Sequence, residues 1–499
     1  MKKITTLSEM ARLFPGLVLL SFMCLFLAGI QSIKAENIIS SGTTMKVLAG
    51  TSVVSMEGLT IKSGGTLDNA GTVILKKNLV NQNPAANSLG SGTVVFSGTV
   101  NQTISGTNTM QNMTVNNATG VTLAGETRVN GTLTFTSGLV TLGAYNLTMG
   151  TAATVAGASA SSMLVATGTG EARKLFSGIG TFTFPVGDNT GTAEYSPVTL
   201  NFTAGTFPAN CYAAVNLVDA QYPGGPAGSY ITRYWNVRNS GITSFSCNPT
   251  FQYLAADVVG TEASIYCLRI TPTAVDYFNA ANTATDQLTA TGINTFGTFT
   301  GYQILANKTL NLTALIEGLY NGGGTMRKAQ NEFGDQYPGT TADLIKVELH
   351  NSAPYSSIAF TFNNMNLTTA GASTLTVPGI FSGAYYVTVK HRNTIQTVSA
   401  NPVSFASSPI NYNFTNAATK AYGSNMKLMS GGYWVFFGGD VNQDDIVDSG
   451  DMIPIDNLSA LFTYGYLPED ANGDGIIDSG DMIIVDNNSS NFVTAITPP

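Results

Sequence analysis

The run DVNQDDIVDSGD begins at Asp440, and the run DANGDGIIDSGD begins at Asp470, thirty residues further on. Oxygen-bearing side chains occupy positions 1, 3, 5 and 12 of each: Asp440, Asn442, Asp444 and Asp451, then Asp470, Asn472, Asp474 and Asp481. A hard divalent cation takes about six to eight oxygens, and a twelve-residue loop with donors at these positions can curl round one ion with the carbonyl of position 7 turned inward. The spacing therefore predicts a duplicated calcium loop holding two Ca2+ ions. Ile446 and Ile476 fill position 7, where only the backbone is needed, so their side chains are expected to pack against each other. From Asp440 to the end there are twelve acidic residues and no Lys or Arg, whereas residues 1–439 hold 22 basic and 18 acidic residues. Such a density of like charge repels itself unless a cation compensates it.

These two loops resemble the dockerin module, a short unit of two calcium loops each followed by a helix, found at the ends of secreted polysaccharide-degrading enzymes and surface proteins. The resemblance covers residues 438–499, with helices expected around Met452–Leu461 and Met482–Val493. It implies that Asp448 and Asp478 join the ligand sets, and that Asp at position 12 is the dockerin form of the loop. A protein partner of the cohesin type is implied as well, although the expected helices lack the basic residues that often accompany that recognition. Asp445 stands where the sharp turn usually wants Gly, so the first loop is expected to be the weaker site.

The elements that must carry these loops are read from the rest of the chain. Lys2, Lys3 and Arg12 precede the apolar run Leu13–Ile30, and Ala35 ends the segment with a small residue, the pattern of a secretory signal peptide over residues 1–35. A membrane anchor left uncleaved is the alternative reading of the same run. No later apolar stretch reaches spanning length, so the mature chain is expected to be secreted or held at the outer cell surface without a transmembrane segment. Cys211, Cys247 and Cys267 remain after cleavage, compatible with one bridge plus a free thiol or with three buried thiols.

Charged residues are only 10% of the chain, Gly numbers 53, and short alternating segments closed by Gly or Asn dominate, which argues for a mostly β protein. Residues 36–160 repeat loosely, as in Gly131–Phe135 followed by Leu139–Leu142, and short strands of this kind bury a core only by stacking. A β-solenoid is the favoured architecture there, with a small sandwich as runner-up. Longer alternating strands predict a β-sandwich over 161–306 and another over 307–437. The second is similar, loosely, to the immunoglobulin-like or transthyretin-like sandwiches that precede terminal modules of bacterial surface proteins. Its apolar end, Tyr433–Phe437, runs into the first loop without a linker, so the loops are expected to pack onto it.

No catalytic residue is assigned. Residues 44–156 have Glu57, Asp68 and Glu126 as their acids and no His, too sparse for a polysaccharide lyase. His350 and His391 read as exposed turn residues, and Glu317 and Glu348 are the carboxylates a glycosidase reading would have to use. Trp235 is read as core, with a sugar-stacking platform as the alternative. The absence of basic clusters argues against nucleic acid. The expectation is a non-catalytic structural or adhesion protein whose calcium module docks to a neighbour or partner; the alternative is a component of a polysaccharide-degrading assembly whose β domains bind extracellular glycan.

Overall fold

A computed structural model of the protein describes residues 31–33, 37–85 and 88–499. The signal peptide predicted over residues 1–35 lies outside these, apart from the strand Gln31–Ile33. Among the described residues no helix is long and apolar enough to cross a membrane.

The chain is mostly β, and its first part is a β-solenoid of about seven turns. One face is the parallel series Ser52–Ser55, Thr72–Leu75, Thr93–Phe96, Asn112–Asn116, Thr132–Ser137 and Thr154–Ala156, each strand pairing with the next about twenty residues on. Parallel pairing at this spacing sets aside the small-sandwich alternative. Alternation sends every second side chain inward. In-register pairing then stacks Leu75, Phe96, Val115 and Phe135 in one buried column. Each such side chain contributes about 1.5–3 kcal/mol by leaving water. At the corners, buried amides satisfy turn backbone: Asn69 Nδ2 donates to Thr93 O at 3.1 Å and Gln102 Nε2 to Leu75 O at 3.0 Å. Gly138 sits at φ +94°, where a Cβ would stand 1.7 Å from Asn117 O of the preceding turn, so close stacking requires glycine.

The solenoid sheets run on past residue 160. Ala172–Leu175 closes the third parallel sheet and pairs antiparallel with Tyr212–Val218, which carries the same sheet into Tyr230–Ser240, Thr298–Gln303, Ile265–Ile270 and Val275–Ala280. A four-stranded sheet, Gly180–Phe184, Val198–Thr206, Thr243–Gln252 and Gln287–Thr289, joins it around an apolar core continuous from Ile39 to Phe299. Trp235 lies wholly inside this core with Nε1 donating to Ser196 O at 3.3 Å, so its face is closed to a sugar. Cys211, Cys247 and Cys267 are three separate buried thiols.

Beyond residue 307, a sheet of Ile358–Thr368, Thr341–Asn351, Ala384–His391 and Thr394–Val398 shares a second core with Ala372–Val377, Lys308–Thr313 and Ile410–Asn413. The chain ends in two helices, α1 (Ser449–Ser459) and α2 (Ser479–Ser489), around a third core of Val441, Val447, Ile455, Ala471, Ile477, Val485 and Val493. Ile395 of the preceding region belongs to that core too, so the last segment packs on its neighbour.

Both helices begin and end earlier than their apolar residues suggested. The cause is capping: Asp448 and Asp478 accept from Gly450 N and Gly480 N, each at 2.6 Å, and start the helix one residue later. Ile446 and Ile476, expected to pack against each other, do not form a buried pair. These two are 46% and 41% exposed, while the next residues, Val447 and Ile477, are the buried ones. Extended backbone turns position 8 inward, because Ile446 bridges Thr494 and Ile476 bridges Tyr464.

Candidate metal centre

The two twelve-residue loops share their internal hydrogen bonds at positions 3, 5 and 12. At position 3, Asn442 Oδ1 accepts from Asp444 N at 2.9 Å and Asn472 Oδ1 from Asp474 N at 2.8 Å. At position 5, Asp444 and Asp474 accept from Ile446 N and Ile476 N, each at 3.0 Å. At position 12, Asp451 takes Asn442 N at 3.1 Å and Asp448 N at 3.0 Å, and Asp481 takes Asn472 N and Asp478 N at 2.9 Å; Asp451 also takes Val441 N at 2.8 Å, whereas the equivalent Ala471 N donates to Glu469 O. The left-handed turns coincide: Gln443 and Gly473 have φ +61° and +73°, and Asp445 and Gly475 have +67° and +78°. Asp445 thus adopts the conformation in which glycine is usual, and its carboxylate is held from outside the loop by Gln396 N at 3.2 Å and Gln396 Nε2 at 2.6 Å.

Burial makes the loop carboxyls reluctant to ionise. Burial, reinforced by Asp451, raises the Asp440 carboxyl to about 7; burial raises Asp481 to about 7 and Asp470 to about 6, the last despite the nearby Arg392 guanidinium. In loop 1, Asp440 uses both oxygens, accepting from Asp444 N and Asp445 N at 3.1 Å. In loop 2, Asp470 Oδ2 accepts from Gly475 N at 3.2 Å, and the fully buried Oδ1 has no hydrogen-bond partner. An orphaned buried carboxylate oxygen is costly. A cation inside loop 2 would satisfy it, which is the donor chemistry that a calcium loop needs.

The sequence-predicted ligands are therefore brought together as two loops, with Asp448 and Asp478 doubling as helix caps. They are not contracted into a tight carboxylate cluster. Among the described residues the set of three carboxylates whose oxygens lie within 4.8 Å of one another is Asp188, Glu194 and Asp219, residues that sequence reasoning passed over. That cluster already holds a cation. Arg233, fully buried, places Nη1 2.8 Å from Asp188 Oδ2, Nη2 3.6 Å from Asp219 Oδ1 and Nε 3.2 Å from Asp257 Oδ2, and also pairs with Glu194. Its four acids are scattered along the chain, so no local spacing announces them.

The two histidines are buried, contrary to their reading as exposed turn residues. His391 Nε2 lies 2.9 Å from Asp343 Oδ2, and His350 lies between Tyr355 O at 2.7 Å and Glu348 Oε2 at 3.2 Å. Each is drawn inward by a carboxylate on an adjacent strand position or partner strand. Glu348 also pairs with Lys346 and Lys390, and the His350 hydrogen bond, with these lysines, brings its carboxyl down to about 2. Glu317 is engaged by Lys427, by Gly438 N at 3.0 Å and by Asn488 Nδ2 at 2.7 Å. Both carboxylates that a glycosidase would have used are thus tied into ion pairs. No family model, curated protein or solved structure matches this chain.

Proposed function

We propose that residues 438–499 are a dockerin-like calcium module closing an exported, non-catalytic, multidomain β protein of the cell surface or extracellular space. The observation that carries the reading is the repeated loop geometry, with the same side-chain-to-amide bonds at positions 3, 5 and 12 and a buried, orphaned Asp470 Oδ1 in the second loop. In this reading Asp440, Asn442, Asp444, the Ile446 carbonyl, Asp448 and Asp451 hold one Ca2+, and Asp470, Asn472, Asp474, the Ile476 carbonyl, Asp478 and Asp481 hold the other. The ions supply charge compensation and cross-link each loop to the helix that follows, so metal binding is folding free energy for the module. The solenoid and the two antiparallel regions, read as sandwiches over 161–306 and 307–437, act as a stalk or adhesive body that carries the module. A cohesin-type protein is the partner class that the resemblance implies. Burial of Trp235 removes the aromatic feature that favoured the glycan-binding alternative.

Calorimetric titration of the chain from residue 36 onward tests the proposal. Two calcium ions should bind, and Asp470→Ala with Asp474→Ala should abolish one site; uptake that these substitutions leave unchanged would refute the assignment. The same preparation should release no reducing ends or unsaturated products from a polysaccharide panel, and turnover lost with a single carboxylate would overturn the non-catalytic part.

A further inference from the structure

The hairpin that joins Ala384–His391 to Thr394–Val398 touches both loops through its tip. On the side of loop 2, Arg392 Nη1 donates to Asp470 O at 2.9 Å and to Leu467 O, and Arg392 Nη2 stands 3.5 Å from Asp470 Oδ2. Asn393 Nδ2 donates to the same Asp470 carbonyl at 2.8 Å. On the side of loop 1, Asn393 O accepts from Gly439 N at 2.8 Å, the residue directly before Asp440. Thr394 bridges Gly438, and Gln396 holds Asp445 through its backbone N–H and its side chain.

Asn393 is therefore bonded to the first residue of loop 2 through its side chain and to the residue preceding loop 1 through its carbonyl, while being only 1% exposed. The fit is not fully satisfied: Asn393 Oδ1 and Asp470 Oδ1, both buried, have no hydrogen-bond partner. Ordering either loop fixes the backbone that this one residue grips. Because both loops are tied to this one residue of a buried, paired hairpin, an ion that orders one loop lowers the cost of ordering the other, which is the condition for positive coupling.

Resting on the calcium reading above, we infer that Asn393, with Arg392 and Gln396 as its flanking contacts, couples the two calcium loops, so that the ions bind cooperatively and their binding orders a hairpin of the neighbouring region. Asn393 is a positioning residue; it contributes no ligand of its own. The coupling also assigns a role to Asp445, which is the handle by which Gln396 holds loop 1.

Hydrogen exchange and calcium titration on the chain from residue 36 onward test this. Calcium should slow amide exchange within 384–398 as well as within the loops. Disabling loop 1 with Asp444→Ala should weaken calcium binding at loop 2 by about five-fold or more, the lower end of usual coupling between sites. In an Asn393→Ala background that penalty should largely vanish, and Gln396→Ala, which removes the side-chain contact to Asp445 and keeps the backbone one, should shrink it as well. Protection confined to residues 440–499, or an Asp444→Ala penalty that neither background reduces, overturns the inference while leaving calcium binding standing. Absence of calcium uptake by the unsubstituted chain overturns both.

Discussion

At the scale of single residues, the protein repeatedly buries a charge and surrounds it. Arg233 is the extreme case, a guanidinium without solvent contact that faces four carboxylates. Glu348 is the inverse, a carboxylate 1% exposed between His350, Lys346 and Lys390. Its carboxyl is brought from 4.5 to about 2, so the pair's stabilisation is complete above the ordinary glutamate range and is lost as pH falls toward 2. Glu348→Gln should then cost about 2 kcal/mol near neutral pH, a value below that of a fully buried pair because both lysines are partly exposed. Denaturant titrations of the two chains should show the difference near pH 7 and its near disappearance by pH 2. A pH-independent difference would mean that shape, not charge, holds the site.

At the scale of elements, close backbone approach decides what can be exchanged. Gly318 lies on the turn after Lys308–Thr313, and a Cβ there would stand 1.8 Å from Ala471 O of the second loop. Neither partner is a side-chain end that can swing away, so the loop must move. Gly318→Ala is expected to lift the C-terminal segment off its neighbour, destabilise it by about 1–3 kcal/mol as overpacking does, and make 438–499 the first region cut by protease. Unchanged proteolysis would show that the seam between Gly318 and loop 2 carries little of the docking. Lys427, Glu317 and Asn488 form a further seam beside that of the Arg392–Gln396 hairpin, joining the end of α2 to the neighbouring β region. An attachment through several such seams behaves as part of the domain it packs on.

At the scale of the whole molecule, three cores divide the chain: one from Ile39 to Phe299, a second from Leu268 to Phe436 that takes Leu268 and Ile270 from the same stretch of chain, and the small one that the helices share with Ile395. The first contains no loop ligand, so calcium should leave its stability untouched. The last should gain about 2.7 kcal/mol when free calcium exceeds its dissociation constant about a hundred-fold. Calorimetric scans with calcium and with chelator should therefore move one transition and leave the solenoid transition in place. A chelator that also lowers the solenoid transition would reveal a cation requirement in residues 31–299.

What the sequence determined by itself is what local period and spacing encode. Short alternating apolar segments closed by Gly or Asn at near-regular intervals were enough to favour stacked β-strands over a small sandwich, because each strand reads its own two-residue period. Donor positions within twelve residues were enough to announce the loops, because the groups that must meet are already neighbours in the chain. The tertiary structure alone decided the rest. His391 is buried because Asp343, 48 residues away, meets it, and Asp445 is held in its unusual backbone conformation by Gln396, 49 residues away. Tyr466 reaches Asp343 at 2.5 Å across 123 residues, and the four acids around Arg233 converge from separate strands and turns. Contacts at such separations leave no periodic mark in the chain, so the partners of a charged residue become legible only when the sheets have brought them together.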